Sequence, residues 1–213
     1  MALSIRTLCF TCALIATLSL SPVVGIAAEK SSSTTPATST APTIGIDNFG
    51  RISETYYRGS QPDGQDYTNL AALGVKTVID LQADGLAIER QLVESAGMRF
   101  FRIPMTTRKA PTGDDLSHFL QLVNDPANQP VYVHCAGGRH RTGVMTAVYR
   151  MTHDGWDSER AFKEMKQYDF GADFLHPEFK RFVYSYRVEP NLALPAPTID
   201  APAAVVGAAN AAN

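Results

Sequence analysis

Between residues 44 and 190 the apolar positions follow two rhythms, and the switches between them predict the elements. Arg51 to Tyr57 alternates apolar and polar residues and predicts an opening strand, followed by the turn cluster Gly59-Ser60-Gln61-Pro62-Asp63-Gly64. Asp66 to Leu73 carries Tyr67, Leu70, Ala71 and Leu73 at helical spacing, and Gly74 ends it. Val75 to Leu81 predicts a buried strand. Ala87 to Ala96 predicts a helix with Ile88, Leu92, Val93 and Ala96 on one face, stopped by Gly97. Arg99 to Ile103 is a strand closed by Pro104, with one ring of Phe100 and Phe101 in the core. After the loop Met105 to Asp115 comes a helix over Leu116 to Val123, and Pro130 leads into the strand Val131 to Cys135. Arg141 to His153 places Val144, Ala147, Val148 and Met151 on one face of a core helix. Two more helices are expected over Asp157 to Tyr168 and Pro177 to Arg187, with Trp156 packed between helices and His176-Pro177-Glu178 as a helix entry.

Alternation of this kind implies an α/β domain whose mostly parallel central sheet is flanked by helices. Ligands of such sheets bind beyond the carboxyl ends of the strands. The strand Val131-Tyr132-Val133-His134 delivers Cys135 to that edge, and Arg141 opens the next helix.

The two ends of the chain differ in character. Met1 to Ala27 has a weakly positive start at Arg6, a mostly apolar run from Leu8 to Leu20 and a small-residue site at Gly25-Ile26-Ala27. These features predict a secretory signal and a secreted or periplasmic protein. A retained anchor is the alternative, but the run is short for a hydrocarbon core of roughly 30 Å, so no stable membrane insertion is expected after signal removal. Residues 28–43, rich in Ser, Thr and Pro, predict a disordered linker, and the Pro/Ala-rich residues 191–213 a disordered tail. Residues 44–190 form one domain.

Charge and cysteine usage narrow the chemistry. The net charge of the 213-residue chain is −2, and no basic tract suggests nucleic acid as a partner. Of three cysteines, Cys9 and Cys12 lie in the signal, leaving Cys135 without an internal disulfide partner. A lone cysteine at a strand end is often inert and buried. Here its surroundings suit phosphate chemistry instead. The loop Ala136, Gly137, Gly138, Arg139 and His140 can turn its N–H groups toward an anion, and the glycines permit positive φ and close approach. Arg141 offers a planar fork to two phosphate oxygens at a helix N-terminus. Because only a thiolate is a good nucleophile, the same groups that favour phosphate also favour the reactive sulfur. Thr142 can donate its hydroxyl to that sulfur. The route implied is attack by Cys135 on phosphorus, then hydrolysis of the phosphocysteine. No metal-ligand spacing is present, and no cofactor is expected; His134 and His140 are better placed as loop residues than as ligands.

His134-Cys135-Ala136-Gly137-Gly138-Arg139-His140-Arg141-Thr142-Gly143 resembles the signature of the protein tyrosine/dual-specificity phosphatase superfamily. It is most similar to the atypical dual-specificity branch of plants, fungi and bacteria, with Arg139 where that branch has lysine. Tyr57-Arg58-Gly59-Ser60-Gln61-Pro62 and Leu73 to Leu81 are also similar to the branch. The resemblance implies a cysteine phosphatase-like fold with Cys135 as nucleophile, Arg141 as phosphate ligand, Thr142 assisting the leaving sulfur and His134 holding the loop by hydrogen bonds.

Superfamily members usually place an aspartate general acid in the loop corresponding to Met105 to Asp115, where Thr106, Thr107, Arg108 and Lys109 stand. Asp114 and Asp115 suit a capping box with Thr112, and Asp84 lies just past a strand; the acid is one of these three or absent. Arg58 is either a structural cation or a substrate contact. The expected substrate is a phosphorylated protein (phosphotyrosine or phosphoserine/threonine) or a small phosphorylated molecule. Two alternatives remain open. The basic trio Arg139, His140 and Arg141 would suit an inositol polyphosphate or pyrophosphate, and a missing acid would suit a phosphate-binding pseudophosphatase.

Overall fold

The computed structural model describes residues 44–188, so the signal, linker and tail regions lie outside the described residues. Five strands form one sheet in the order β1-β2-β5-β3-β4: β1 Gly50–Arg51, β2 Tyr56–Gly59, β3 Thr77–Asp80, β4 Arg99–Arg102 and β5 Val131–His134. All neighbours run parallel except β1 and β2. The helices are α1 Asp66–Ala72, α2 Glu89–Ser95, α3 Gly113–Asn124, α4 Arg141–His153, α5 Ser158–Gln167 and α6 Pro177–Ser185, with a 3-10 turn at Asp173–Leu175.

Pleating sorts the strand residues onto two faces. Tyr56, Ile79, Val131, Val133 and Cys135 join the larger core against α3 to α6. Tyr57, Val78, Phe100 and Tyr132 join a smaller one under α1 and α2. Strand β5 lies between β2 and β3 and is buried on both faces, which is why its sequence is an unbroken apolar run rather than an alternating one. Burying each such side chain stabilises by roughly 1.5–3 kcal/mol, so the strand that carries Cys135 is also among the most firmly held.

Three expectations change. The opening strand is two strands, because Ser53 and Thr55 bond locally: Thr55 N–H donates to Ser53 Oγ at 3.2 Å. Local side-chain bonding of this kind replaces the ladder with a turn. Helix α2 turns Glu89 and Val93 inward and leaves Ile88 and Leu92 54% and 37% exposed, reversing part of its expected face. Partners for the Glu89 carboxylate, described below, make that reversal possible. Both rings of the Phe100–Phe101 pair bury, Phe101 only partly, on opposite faces. Trp156 is flanked by the guanidinium groups of Arg150 and Arg160, 4.3 and 3.9 Å from its ring, and Pro177 enters α6 in its first turn.

Candidate active site

Cys135 follows β5 directly and is 3% exposed, and α4 begins six residues later at Arg141. The connecting loop is braced from outside at three successive carbonyls. Gln61 N–H donates to Ala136 O at 3.2 Å, Asn48 Nδ2 to Gly137 O at 2.8 Å, and Arg58 Nη2 to Gly138 O. In a trans peptide the N–H points opposite to the C=O of the same unit. Drawing those carbonyls outward therefore turns the N–H groups of Gly137, Gly138 and Arg139 to the other side, toward the cup. Helix α4 adds its own first-turn donors, since its N-cap His140 makes no side-chain cap.

Gly138 is needed where it stands. Its φ is +64°, and a Cβ there would lie 2.5 Å from both Gly59 C and Gly59 O. Gly137 has no such requirement: a Cβ would meet only the Arg139 side chain, at 3.5 Å. Of the two glycines expected to provide positive φ, one does.

Arg141 is buried, and its Nη1 donates to Asp84 Oδ1 at 3.1 Å and Met105 O at 3.2 Å. Its Nε has no hydrogen-bond partner among the described residues, so one edge of the fork is anchored while another donor stays uncommitted. The Thr142 hydroxyl is likewise buried without a hydrogen-bond partner. Arg139 is exposed. The His140 ring faces the α5–α6 connection: Nε2 lies 3.1 Å from Phe170 O, and the ring centroid is 3.8 Å from that of His176. Burial, then the adjacent His176 and arginines, push its pKa down. The cationic charge of the loop therefore rests on Arg139 and Arg141 rather than on three residues.

His134 does not brace the loop as expected. Its ring lies on the opposite sheet face, 3.0 Å from Glu89 Oε1, and is fully buried there. Asp80, Glu89 and His134 each bring a ligand atom within 4.8 Å of the others, the arrangement a metal ion could use. Arg102 already supplies positive charge to it, at 2.7 Å from Asp80 and 3.5 Å from Glu89. Burial pushes the Asp80 carboxyl up. Burial acts on Glu89 in the same sense, but hydrogen bonding from His134 and Gln61 outweighs it and holds that carboxyl below its usual value.

Sequence reasoning left Arg58 undecided and did not single out Asn48, Gln61 or Glu89. Arg58 is a buried brace: it caps the loop carbonyl and lies 3.9 Å over the Tyr168 ring. Arg58 and Gln61 lie in the Tyr57–Pro62 segment already noted for its resemblance. Asp115 is taken up by the capping box, its carboxylate accepting from Thr112 N–H at 2.8 Å, and Asp114 is exposed beside it on α3.

A family model described as "DSP-PTPase phosphatase fused to NAD+ Kinase" matches residues 46–180. The dual specificity protein phosphatase TpbA of Pseudomonas aeruginosa is 34% identical over 147 residues, which is 69% of this chain and 66% of TpbA. Its crystal structure in complex with pTyr matches at a TM-score of 0.57 with 28% identity, covering 70% of this chain and 91% of that one. The inositol diphosphatase SIW14 of Saccharomyces cerevisiae is 28% identical over 130 residues, 58% of this chain and 46% of SIW14. Its catalytic core matches at a TM-score of 0.59 with 25% identity, covering 67% and 87% of the two chains. The chain thus spans just under two thirds of TpbA and under half of SIW14. A shared fold and a family model that covers most of the folded segment place this chain among the atypical dual-specificity phosphatases, enzymes of the protein tyrosine phosphatase superfamily.

Proposed function

We propose that this phosphatase is exported and cleaves phosphate monoesters of proteins, phosphotyrosine first among them, through a phosphocysteine intermediate. Cys135 attacks phosphorus while the turned loop amides and Arg141 bind the equatorial oxygens. Water then cleaves the S–P bond as the Thr142 hydroxyl, with no competing partner, donates to the departing sulfur. The observation that carries this reading is the outward bracing of three consecutive carbonyls between Cys135 and Arg141. Such a loop supplies aligned donors without reorganising at the moment of reaction.

Two observations favour an aryl phosphate on a polypeptide. Leu86 and Ile88, 49% and 54% exposed, follow Asp84 by two and four residues, so the segment that reaches Arg141 continues into exposed apolar side chains. His140 is held toward its neutral form, which lowers the charge offered to a polyanion. The TpbA relative with bound pTyr agrees with this. An inositol polyphosphate or pyrophosphate is the second reading, favoured by the exposed Arg108, Lys109 and Arg139 and by the SIW14 relative.

The mature protein is expected to hydrolyse para-nitrophenyl phosphate in EDTA, to be inhibited by vanadate and to lose turnover in Cys135→Ser. Undiminished activity in Cys135→Ser refutes the nucleophile, and an inactive wild type that still binds phosphate makes the chain a binding module. Phosphotyrosyl peptides and inositol pyrophosphates compared at matched concentrations decide the substrate class. Mass spectrometry of the protein recovered outside the cytoplasm tests export, by loss of about the first 27 residues, the span of a secretory signal.

A further inference from the structure

The loop that usually carries this superfamily's general acid holds Thr106, Thr107, Arg108 and Lys109, none of them a carboxylic acid. Asp114 and Asp115 belong to the first turn of α3, where Asp115 closes the Thr112 capping box. Asp84 is different. It sits between β3 and α2, at the sheet edge where Cys135 emerges, and its Oδ1 lies 3.1 Å from Nη1 of the arginine that opens α4.

The segment around Asp84 is held on both sides. Ala83 N–H donates to Met105 O at 3.0 Å, the same carbonyl that accepts from Arg141 Nη1. Gln82 N–H donates to Asp80 Oδ1 at 2.9 Å, and Arg102 Nη2 donates to Leu86 O at 2.8 Å. Gly85 is pressed so closely onto this support that a Cβ would lie 2.2 Å from Asp80 Oδ2. The side chain of Asp84 nevertheless remains 81% exposed. A fixed backbone thus presents a carboxyl group at the rim of the phosphate cup, in touch with both Arg141 and water.

Resting on the Cys135–Arg141 reading above, we propose that Asp84 is the general acid of this enzyme, supplied from the β3–α2 loop instead of the usual one. As the S–P bond forms and the ester P–O bond breaks, the Asp84 carboxylic acid gives its proton to the leaving oxygen, releasing ROH. The resulting carboxylate then takes a proton from the water that attacks the phosphocysteine. Both steps balance without a further reactant.

The protonation state follows the substrate. Hydrogen bonding to Arg141 holds the Asp84 carboxyl below the usual carboxylate range, so it is ionised in the free enzyme. A phosphate dianion on Arg141 shares that cation and adds negative charge nearby, which raises the proton affinity of the exposed carboxylate. The charged groups around Asp84 are Arg141 from α4 and the Asp80–Arg102 pair beneath Gly85. Substrate binding therefore loads the acid from solvent.

The test compares wild type, Asp84→Asn, Asp114→Asn and Asp115→Asn on aryl phosphates ranging from nitrophenyl esters to phenyl phosphate and phosphotyrosine, whose leaving oxygens have a pKa of about 10. Asp84→Asn is expected to lose roughly 10²–10⁴-fold in kcat/KM on the poor leaving groups, distinctly less on nitrophenyl esters, and the basic limb of its pH profile. Retained vanadate inhibition shows an intact cup. The Asp114 and Asp115 variants keep wild-type leaving-group dependence. An equal loss on every ester, or a gain from freeing Arg141, overturns the assignment. If wild type does not turn over, or Cys135→Ser does, the underlying reading fails instead.

Discussion

Adjacent glycines in the phosphate loop should respond very differently to the same methyl group. In Gly138→Ala the new Cβ would lie 2.5 Å from Gly59 C and O and 2.7 Å from Ser60 N, whereas ordinary contact begins at 3.4 Å. The loop must retreat by about 3.4 − 2.5 = 0.9 Å, because the obstructing atoms are backbone and cannot rotate away. At φ +64° the alanine also carries left-handed strain of about 1–2 kcal/mol. A displacement of about 1 Å in catalytic groups costs on the order of 10²-fold in rate, equivalent to about 2.7 kcal/mol of transition-state stabilisation. Gly138→Ala is therefore expected to lose about 10²-fold in kcat/KM on para-nitrophenyl phosphate and at least the strain energy in urea denaturation. Gly137→Ala, whose Cβ meets only the flexible Arg139 side chain, is expected to stay within about 0.5 kcal/mol of wild type, as unobstructed sites do, and within roughly threefold of its rate. The measurement is steady-state kinetics and chemical denaturation on both variants side by side. Equal behaviour of the two, or a fully active and stable Gly138→Ala, would falsify the claim that the loop is seated on the Gly59 backbone.

Two further outcomes follow from the buried groups around the site. Glu89→Ala removes a fully buried carboxylate that accepts from Gln61 and Tyr67 and pairs with Arg102 and His134, while Arg102 keeps Asp80. The buried donors left without an acceptor should lower stability by about 1–3 kcal/mol in urea titration, and a loss within about 0.5 kcal/mol would mean the cluster contributes little. His140 and His153 both have pKa values pushed down, first by burial. The unfolded chain binds their protons more readily, so stability is complete above the ordinary histidine value of about 6.5 and declines as pH falls through it. The urea midpoint should drop between pH 7.5 and 5.5, and His140→Gln should flatten that slope; an unchanged slope contradicts the assignment.

Much of the architecture is readable along the chain because it depends on neighbours in sequence. The unbroken apolar run Val131–Val133 identifies a doubly buried strand, and the apolar period of Arg141–His153 identifies a core helix. The Cys135-to-Arg141 spacing and the Thr112–Asp115 cap are equally local. The inward face of α2 is not legible in its own sequence because Glu89, polar by type, finds its partners Arg102 and His134 on strands β4 and β5. The split of the first strand turned on two hydroxyls, Ser53 and Thr55, that alternation does not weigh.

Sequence by itself determined that a thiol, an arginine and a glycine-bearing loop stand between a strand and a helix, since spacing and periodicity are enough for that. Only the tertiary structure decided which glycine is indispensable, which carboxylate meets Arg141 and what holds the loop open. Those answers rest on contacts across 57 residues from Arg141 to Asp84, 80 from Arg58 to Gly138 and 89 from Asn48 to Gly137. Side-chain rhythm along one element reports which face is buried, but it carries no information about which distant loops the packed sheet brings to the same edge.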